Sequence, residues 1–533
     1  MKLEGSVLGR LYFRKSQTID LSKCQIFVTR MSAAPRIVYF ASLLLGGLLG
    51  RKAILDSVFC KIPVVAQVSN FLFGNIELIM LSSIDNLNIS SQASSESELS
   101  SSSFDVIVVG SGPGGSIAAL RSLQEGKSVL LLEEGGEYTP GLVEHHSLTQ
   151  TKKQFRNGGL NFIWGSKPVL FAEGKTLGGG SEVNSGLYHR LEGSHREKIL
   201  SSLKVSEDVW SQLEELVEEE LSVQLDPEGL EPGHGLVLGA KRIGMQHKEI
   251  PRWRKYDPEV EHQGMQVTYL RKARELGLQV ISDSSVTNLV LTENEVIVNT
   301  SSKDKESNQF CAKEVILAAG TIETPRILNR SGLTRNSFKL NFHPMLRCVA
   351  EQPNAINEGD IFPSWQAWTD DLRLKFGYSV STYPYLAATL RSMGVHSRFS
   401  SNDLSRMAAY FGSFALGDSR VRLIKVGMRL TPFIWWGKKD LKSLKEVTSI
   451  LKKILTNGDA VNVWPKKKLS AVTTVHLFGS IPISHQDIVD QNGRLKRDLR
   501  IRISDASLMP HAPWGNPQGP VMVMCELLAK RNQ

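Results

Sequence analysis

The string DVIVVGSGPGG at 105–115 constrains this chain more than any other. After Asp105 come four consecutive β-branched aliphatics, the pattern of a parallel strand buried on both faces. Glycines follow at once at 110, 112 and 115. In that spacing Gly110 permits a tight turn, Gly112 lets the main chain approach a pyrophosphate, and Gly115 lets the next helix, expected from about Gly114, close on the strand. A second buried strand, SVLLLEE at 128–134, completes a β-α-β unit. At its end, about 20 residues on, Glu133 stands where a carboxylate accepts hydrogen bonds from ribose hydroxyls. The unit predicts an α/β domain that binds a dinucleotide, without separating FAD from NAD.

A second glycine cluster bears on that choice. The stretch EGKTLGGGSEVNSGLYHR at 173–190 carries Gly178, Gly179 and Gly180, then Ser181 and Asn184. Consecutive glycines let backbone approach a flat ring or a diphosphate, and the polar side chains that follow can hydrogen-bond it. A loop this far from the first motif suits a long, extended cofactor better than a nicotinamide nucleotide held by one half-fold. At 533 residues, 41% of them apolar, the chain exceeds one average domain and can bury large cores.

Four stations in order then resemble the glucose-methanol-choline (GMC) family of FAD oxidoreductases: the fingerprint with Glu133, the GKTLGGGSEVNSG loop, AAGTIETPRIL at 318–328 and SDASLMPHAPWGNPQGP at 504–520. The resemblance runs from Phe104 to the C-terminus. It implies a Rossmann-type FAD-binding domain interleaved with an α+β substrate-binding domain, and FAD as the cofactor. It places Val286 where the backbone meets the adenine, Asp505 and Ala506 over the diphosphate, and Asn516 and Pro517 beside the flavin. GGGS together with Asn-Pro is similar to the cholesterol oxidase and long-chain alcohol oxidase side of the family. One motif departs: the histidine is followed by LFGSIPIS, where the family usually has a Thr-Cys or Gly-Cys pair.

The implied chemistry is oxidation of an alcohol to an aldehyde or ketone. Removing hydride from a carbinol carbon needs a base for the hydroxyl proton, and histidine is the natural choice. His476 follows VTTV at 472–475 and stands where the family carries its base. Asn516 is expected to donate to the substrate oxygen as alkoxide character develops, with hydride passing to the flavin N5. His511 is the runner-up for either role, and His343 and His189 are expected to be structural. The alternative on this fold is a flavin-containing non-redox lyase or a light-driven decarboxylase; His476 and Asn516 favour alcohol oxidation. The substrate is expected to be a small-molecule alcohol, lipophilic or sterol-like, and the electron acceptor oxygen, a quinone or an electron-transfer protein.

The domains are expected at 1–89 (an N-terminal extension, helical or disordered), 90–103 (a linker, SSQASSESELSSSS), 104–190, 261–334 and 490–533 (FAD-binding), 191–260 (a substrate or cap segment) and 335–489 (substrate-binding). Net charge is +9, and basic residues crowd the first fifty-odd positions, where only Glu4 and Asp20 oppose them. That asymmetry suits a targeting segment or an anionic membrane surface. The apolar run Ile37–Gly50 is shorter than the roughly 20 residues of a spanning helix. The expected address is cytoplasmic or peripheral to a membrane, with organelle targeting by the N-terminal segment left open. RVRLIKVGMRLTPFIWWGKK at 420–439 interleaves cations with aromatics, as on a lipid-docking surface or on a buried element with a charged edge. No aromatic-interleaved basic motif accompanies the N-terminal charge, so no nucleic-acid partner is expected. The five cysteines are scattered, without C-x-x-C spacing, so neither a disulfide framework nor a metal site is expected.

Overall fold

A strand buried on both faces needs apolar side chains at every position, and two runs supply them. The computed structural model describes residues 103–227, 235–256, 261–302, 307–334, 337–356, 364–466, 469–483 and 487–533. The N-terminal extension, its apolar run and nearly all of the serine-rich linker lie outside them. DVIVV falls in strand Ser103–Val109, and Val129–Leu132 pairs parallel to it. Between them helix Pro113–Gln124 buries Ile117 and Leu120 together with Gly114, Gly115, Ser116, Ala118 and Ala119, whose small size brings it close to the sheet. On the other side Ser103–Val109 pairs parallel with Ser307–Leu317, which pairs parallel in turn with Ile501–Ile503. Gln279–Ile281 extends the parallel edge, and an antiparallel pair, Ser284–Leu291 and Val296–Ser302, completes seven strands. The cofactor fingerprint and the C-terminal tail therefore both leave the carboxyl ends of parallel strands in one Rossmann-type sheet.

The section from about 335 to 475 supplies most of a second sheet. Nine strands order as Asn161–Ile163, Val169–Phe171, Val472–Thr474, Met345–Glu351, Met407–Phe414, Leu374–Tyr378, Trp365–Trp368 and Gln246–Glu249, with Asn462–Trp464 also on Met345–Glu351. Neighbours such as Trp365–Trp368 and Gln246–Glu249 are far apart in the chain, so no local turn signal announces their pairing. Two of these strands, Asn161–Ile163 and Val169–Phe171, come from the stretch expected to be purely FAD-binding. Helix Lys438–Asn457 buries Leu444, Val447, Leu451, Ile454 and Leu455 at helical spacing, leaving its lysine cluster on the opposite side. The interleaved α/β and α+β architecture is the one the sequence implies.

The basic-aromatic segment is a hairpin, Arg420–Val426 and Arg429–Trp435. Val421, Leu423, Leu430 and Ile434 point into the core, while Met428 at its tip is 92% exposed and Trp435 51%. No helix among the described residues is long and apolar enough to cross a membrane.

Candidate active site

A cavity of about 490 Å³ opens beyond the carboxyl ends of the parallel strands, and its walls include Gly110, Glu133, Ala318 and Asp505. Ligands of open α/β sheets bind in that crevice. Gly110 has φ +96°, and a Cβ there would lie 2.4 Å from the Ala318 carbonyl oxygen. A Cβ on Gly115 would lie 1.9 Å from the Gly110 oxygen, so this glycine lets helix and strand touch. Gly179 brings the second loop onto the first, with its Cβ position 2.8 Å from Gly112 Cα. Gly178 turns the loop at φ +85°. It is absent from the cavity wall, as is Ser181, whose hydroxyl donates to the Gly178 carbonyl at 2.8 Å and accepts from Met265 N at 3.0 Å. Ser181 braces the loop from behind instead of meeting the cavity.

Ser111, between two fingerprint glycines, joins both loops. Its hydroxyl donates to Glu133 Oε2 at 2.7 Å and accepts from Gly178 N at 2.9 Å. Glu133 also accepts from Ser111 N at 3.0 Å and Gly135 N at 2.7 Å, while burial raises its pKa. Asp505 accepts from Gly320 N at 2.9 Å, Thr324 Oγ1 at 2.5 Å, Ser507 N at 2.8 Å and the Ser507 hydroxyl, which ties the tail to the AAGTIETP turn. Ala506 lines the cavity beside it. Val286 lines the cavity with Ser284 and Ser285, and its carbonyl accepts from Arg330 Nη2 at 3.1 Å. Asn184 also reaches the wall, but its side chain is tied to Gln518 at 2.7 Å and to Gly186 N at 2.8 Å.

At the other end of the same cavity stand His476, Asn516 and Pro517. His476 follows strand Val472–Thr474, and its Nδ1 is 3.3 Å from Nδ1 of His343, with the rings edge to face. Burial, and secondarily the Lys375 ammonium, lower its pKa to about 3, so the imidazole is neutral at neutral pH. With Nδ1 engaged, Nε2 is the nitrogen left to meet a ligand. His343, expected to be purely structural, is thus the direct neighbour of the candidate base. Asn516 follows Gly515 at φ +89°, where a Cβ would strike His189 Cδ2 at 2.5 Å and Lys375 Nζ at 2.6 Å. His511 bonds Ser202 Oγ at 3.0 Å and is not on the cavity wall.

The family model described as GMC oxidoreductase matches residues 151–345 in its N-terminal part and 419–525 in its C-terminal part, together more than half of the chain. A model described as FAD dependent oxidoreductase matches 105–163. The chain belongs to the GMC oxidoreductases. It is 26% identical over 479 residues to an uncharacterized GMC-type oxidoreductase of Sinorhizobium fredii, spanning 80% of this chain and 94% of that one. It is 26% identical over 275 residues to a long-chain-alcohol oxidase of Arabidopsis thaliana, spanning 45% of this chain but 36% of that protein. Two solved structures share the fold. Pyridoxine 4-oxidase from Mesorbium loti aligns at TM-score 0.62 and 18% identity, covering 80% of this chain and 98% of its own. A formate oxidase variant of Aspergillus oryzae aligns at 0.64 and 14%, covering 81% and 98%.

This GMC oxidoreductase is FAD-dependent, and its cavity fits the cofactor on an independent ground. A Cβ on Gly112, Gly180 or Gly320 would meet no protein atom within 4 Å, yet all three residues line the cavity. Their bare backbone leaves room for a ligand to press against it. Helix Pro113–Gln124 begins there with no side-chain cap, presenting its positive end to a diphosphate.

Three features of this GMC oxidoreductase escaped the reading of its motifs. Ser111 sat within the fingerprint and could have been flagged as polar among glycines. Arg156, also on the wall, meets Glu134 at 2.9 Å and Glu173 at 3.4 Å. Burial raises Glu134, but Arg156 and Lys175 outweigh it and hold that carboxyl at about 2. Arg347 interrupts the otherwise apolar start of Met345–Glu351, which was a signal of its own.

Proposed function

We propose that this GMC oxidoreductase oxidises an alcohol to an aldehyde or ketone, with His476 taking the hydroxyl proton. The observation that carries the reading is that a neutral imidazole and an asparagine share one cavity with the glycine-lined cofactor cradle. Bound FAD supplies the acceptor for the hydride. A neutral His476 can accept the hydroxyl proton at Nε2, while His343 at 3.3 Å orients the ring through Nδ1. An N–H of Asn516 can donate to the substrate oxygen as negative charge grows on it. Met345, Val380 and Phe411 give this end an apolar wall suited to a lipophilic chain. The names of the long-chain-alcohol oxidase relatives lend support. The reoxidising partner is oxygen, a quinone or an electron-transfer protein. The exposed Met428 and Trp435 of the hairpin are the surface through which the enzyme would meet a membrane.

The test is to mix the full-length holoprotein with short, long-chain and sterol alcohols in the absence of oxygen and follow the visible spectrum. Bleaching by one alcohol class supports the reading. A yellow protein that no alcohol bleaches, but that acts on a cyanohydrin or on an illuminated fatty acid, overturns it in favour of a lyase or decarboxylase.

A further inference from the structure

Several buried and half-buried arginines of this protein face carboxylates. Arg121 meets Glu526 at 2.8 Å, Arg196 meets Glu214 at 2.9 Å, Arg252 meets Asp226 at 3.0 Å and Arg326 meets Glu323 at 2.5 Å. Arg347 breaks the pattern. It lines the cavity from strand Met345–Glu351, and burial lowers its pKa. Its Nε donates to Ser379 Oγ at 3.1 Å and its Nη1 to Thr473 Oγ1 at 2.8 Å, and no carboxylate pairs with it among the described residues. Two neutral hydroxyls aim the guanidinium without neutralising it, and Nη2 has no bond to any described residue.

A half-buried cation that is desolvated and without a counter-charge costs stability unless an anion completes it. Ser379, Tyr385 and Arg347 all line the cavity, and the Tyr385 hydroxyl, 2.7 Å from Thr151 Oγ1, lies within electrostatic reach of the guanidinium. Thr473, which Arg347 grips, is three residues before His476 on the same run of chain, so cation and candidate base belong to one wall. The planar fork of an arginine matches the two oxygens of a carboxylate better than it does a neutral hydroxyl or ester.

We propose that Arg347 anchors a carboxylate carried by the alcohol, so that the preferred substrates are hydroxy acids with an apolar body between the two groups. The inference rests on the alcohol-oxidising reading and names its substrate class. The carboxylate makes and breaks no covalent bond. The carbinol loses a hydride to FAD and a proton to His476, and the rest of the molecule is held by Arg347.

The test uses the full-length holoprotein and two ligand pairs. Decanoate and methyl decanoate, neither of them an alcohol, are titrated by the perturbation each causes in the flavin absorbance. An ω-hydroxy fatty acid and its methyl ester are then compared for anaerobic flavin reduction. We expect each acid to bind about ten- to a hundredfold more tightly than its ester, the range of a charge-assisted hydrogen bond. Arg347→Met should abolish the preference and Arg347→Lys should keep part of it, with the change falling on KM and not on kcat. Equal binding of acid and ester by the unaltered protein, or a preference that survives Arg347→Met, overturns the proposal; the first comparison needs no variant to fold. Arg347-dependent decanoate binding without bleaching by any hydroxy compound would sink the oxidation reading and leave the anion site standing. Bleaching by neutral alcohols with no acid preference would do the reverse.

Discussion

The two ends of the cavity are built differently. At the fingerprint end the protein's polar atoms answer one another: Ser111 and Glu133, Asp505 with Thr324 and Ser507, and Arg156 with Glu134 and Glu173. At the His476 end they do not. Off the cavity wall, in the region packed against Gly515, His189 Nδ1, Gln366 Nε2, Lys375 Nζ and Trp514 Nε1 are buried with no hydrogen-bond partner among the described residues, and Lys375 Nζ sits 3.7 Å above the face of Trp514. Each such group costs about 1–3 kcal/mol. Saturated bonds make a rigid mould for a cofactor of fixed shape. Behind the reactive end the protein tolerates that loss of stability, and the same burial, with Lys375 beside it, keeps the His476 imidazole neutral.

The largest effect should come from the reactive end. His476→Ala is expected to slow anaerobic flavin reduction by about 10²–10⁴-fold while the protein stays yellow. Undiminished reduction would remove the base from the account, and a colourless protein would show that the two ends are not separable. Next is the mould. Gly110→Ala forces a Cβ onto the Ala318 carbonyl at positive φ, adding roughly 1–3 kcal/mol of backbone strain and a similar overpacking cost. A lower urea midpoint and a smaller flavin-to-protein absorbance ratio are the expected readouts, and wild-type values for both would mean the turn is less rigid than its geometry implies.

A third, smaller effect is pH dependence. Unfolded, His476 takes up a proton near its ordinary 6.5; folded, it resists until about 3. Between those values the unfolded chain binds more protons, so this contribution is complete above about 6.5 and is lost as pH falls toward 3. Glu133 and Asp505, which burial raises, act in the opposite sense. The measurement is therefore the difference in denaturation midpoint between wild type and His476→Asn, which should shrink as the solution is acidified. The smallest effect separates brace from contact: Ser181→Ala should cost about 1 kcal/mol of stability with the flavin spectrum unaltered. A displaced spectrum would put Ser181 against the cofactor after all.

Much of the cofactor end was legible because its signals are local. Three glycines at fixed spacing, a buried strand before them and Glu133 after the next strand each describe the conformation of their own few residues, and the motif order carried the family and FAD. Ser181 could not be oriented from sequence, because a polar residue after glycines looks the same whether it faces a ligand or its own loop. The second sheet was not legible, since Gln246–Glu249 finds Trp365–Trp368 across more than a hundred residues with no connecting turn to mark the pair. His343 was read as structural for the same reason, because 133 positions separate it from His476.

The sequence by itself therefore determined the dinucleotide unit and, through the order of its motifs, the cofactor, and it singled out His476 as the residue to test; all of these depend on backbone freedom or side-chain chemistry at neighbouring positions. Only the tertiary structure decided which polar atoms are answered and which are left open, as with Ser111 against Arg347. Hydrogen bonding and the cost of burial are set by what lies a few ångströms away in space, whatever the distance along the chain.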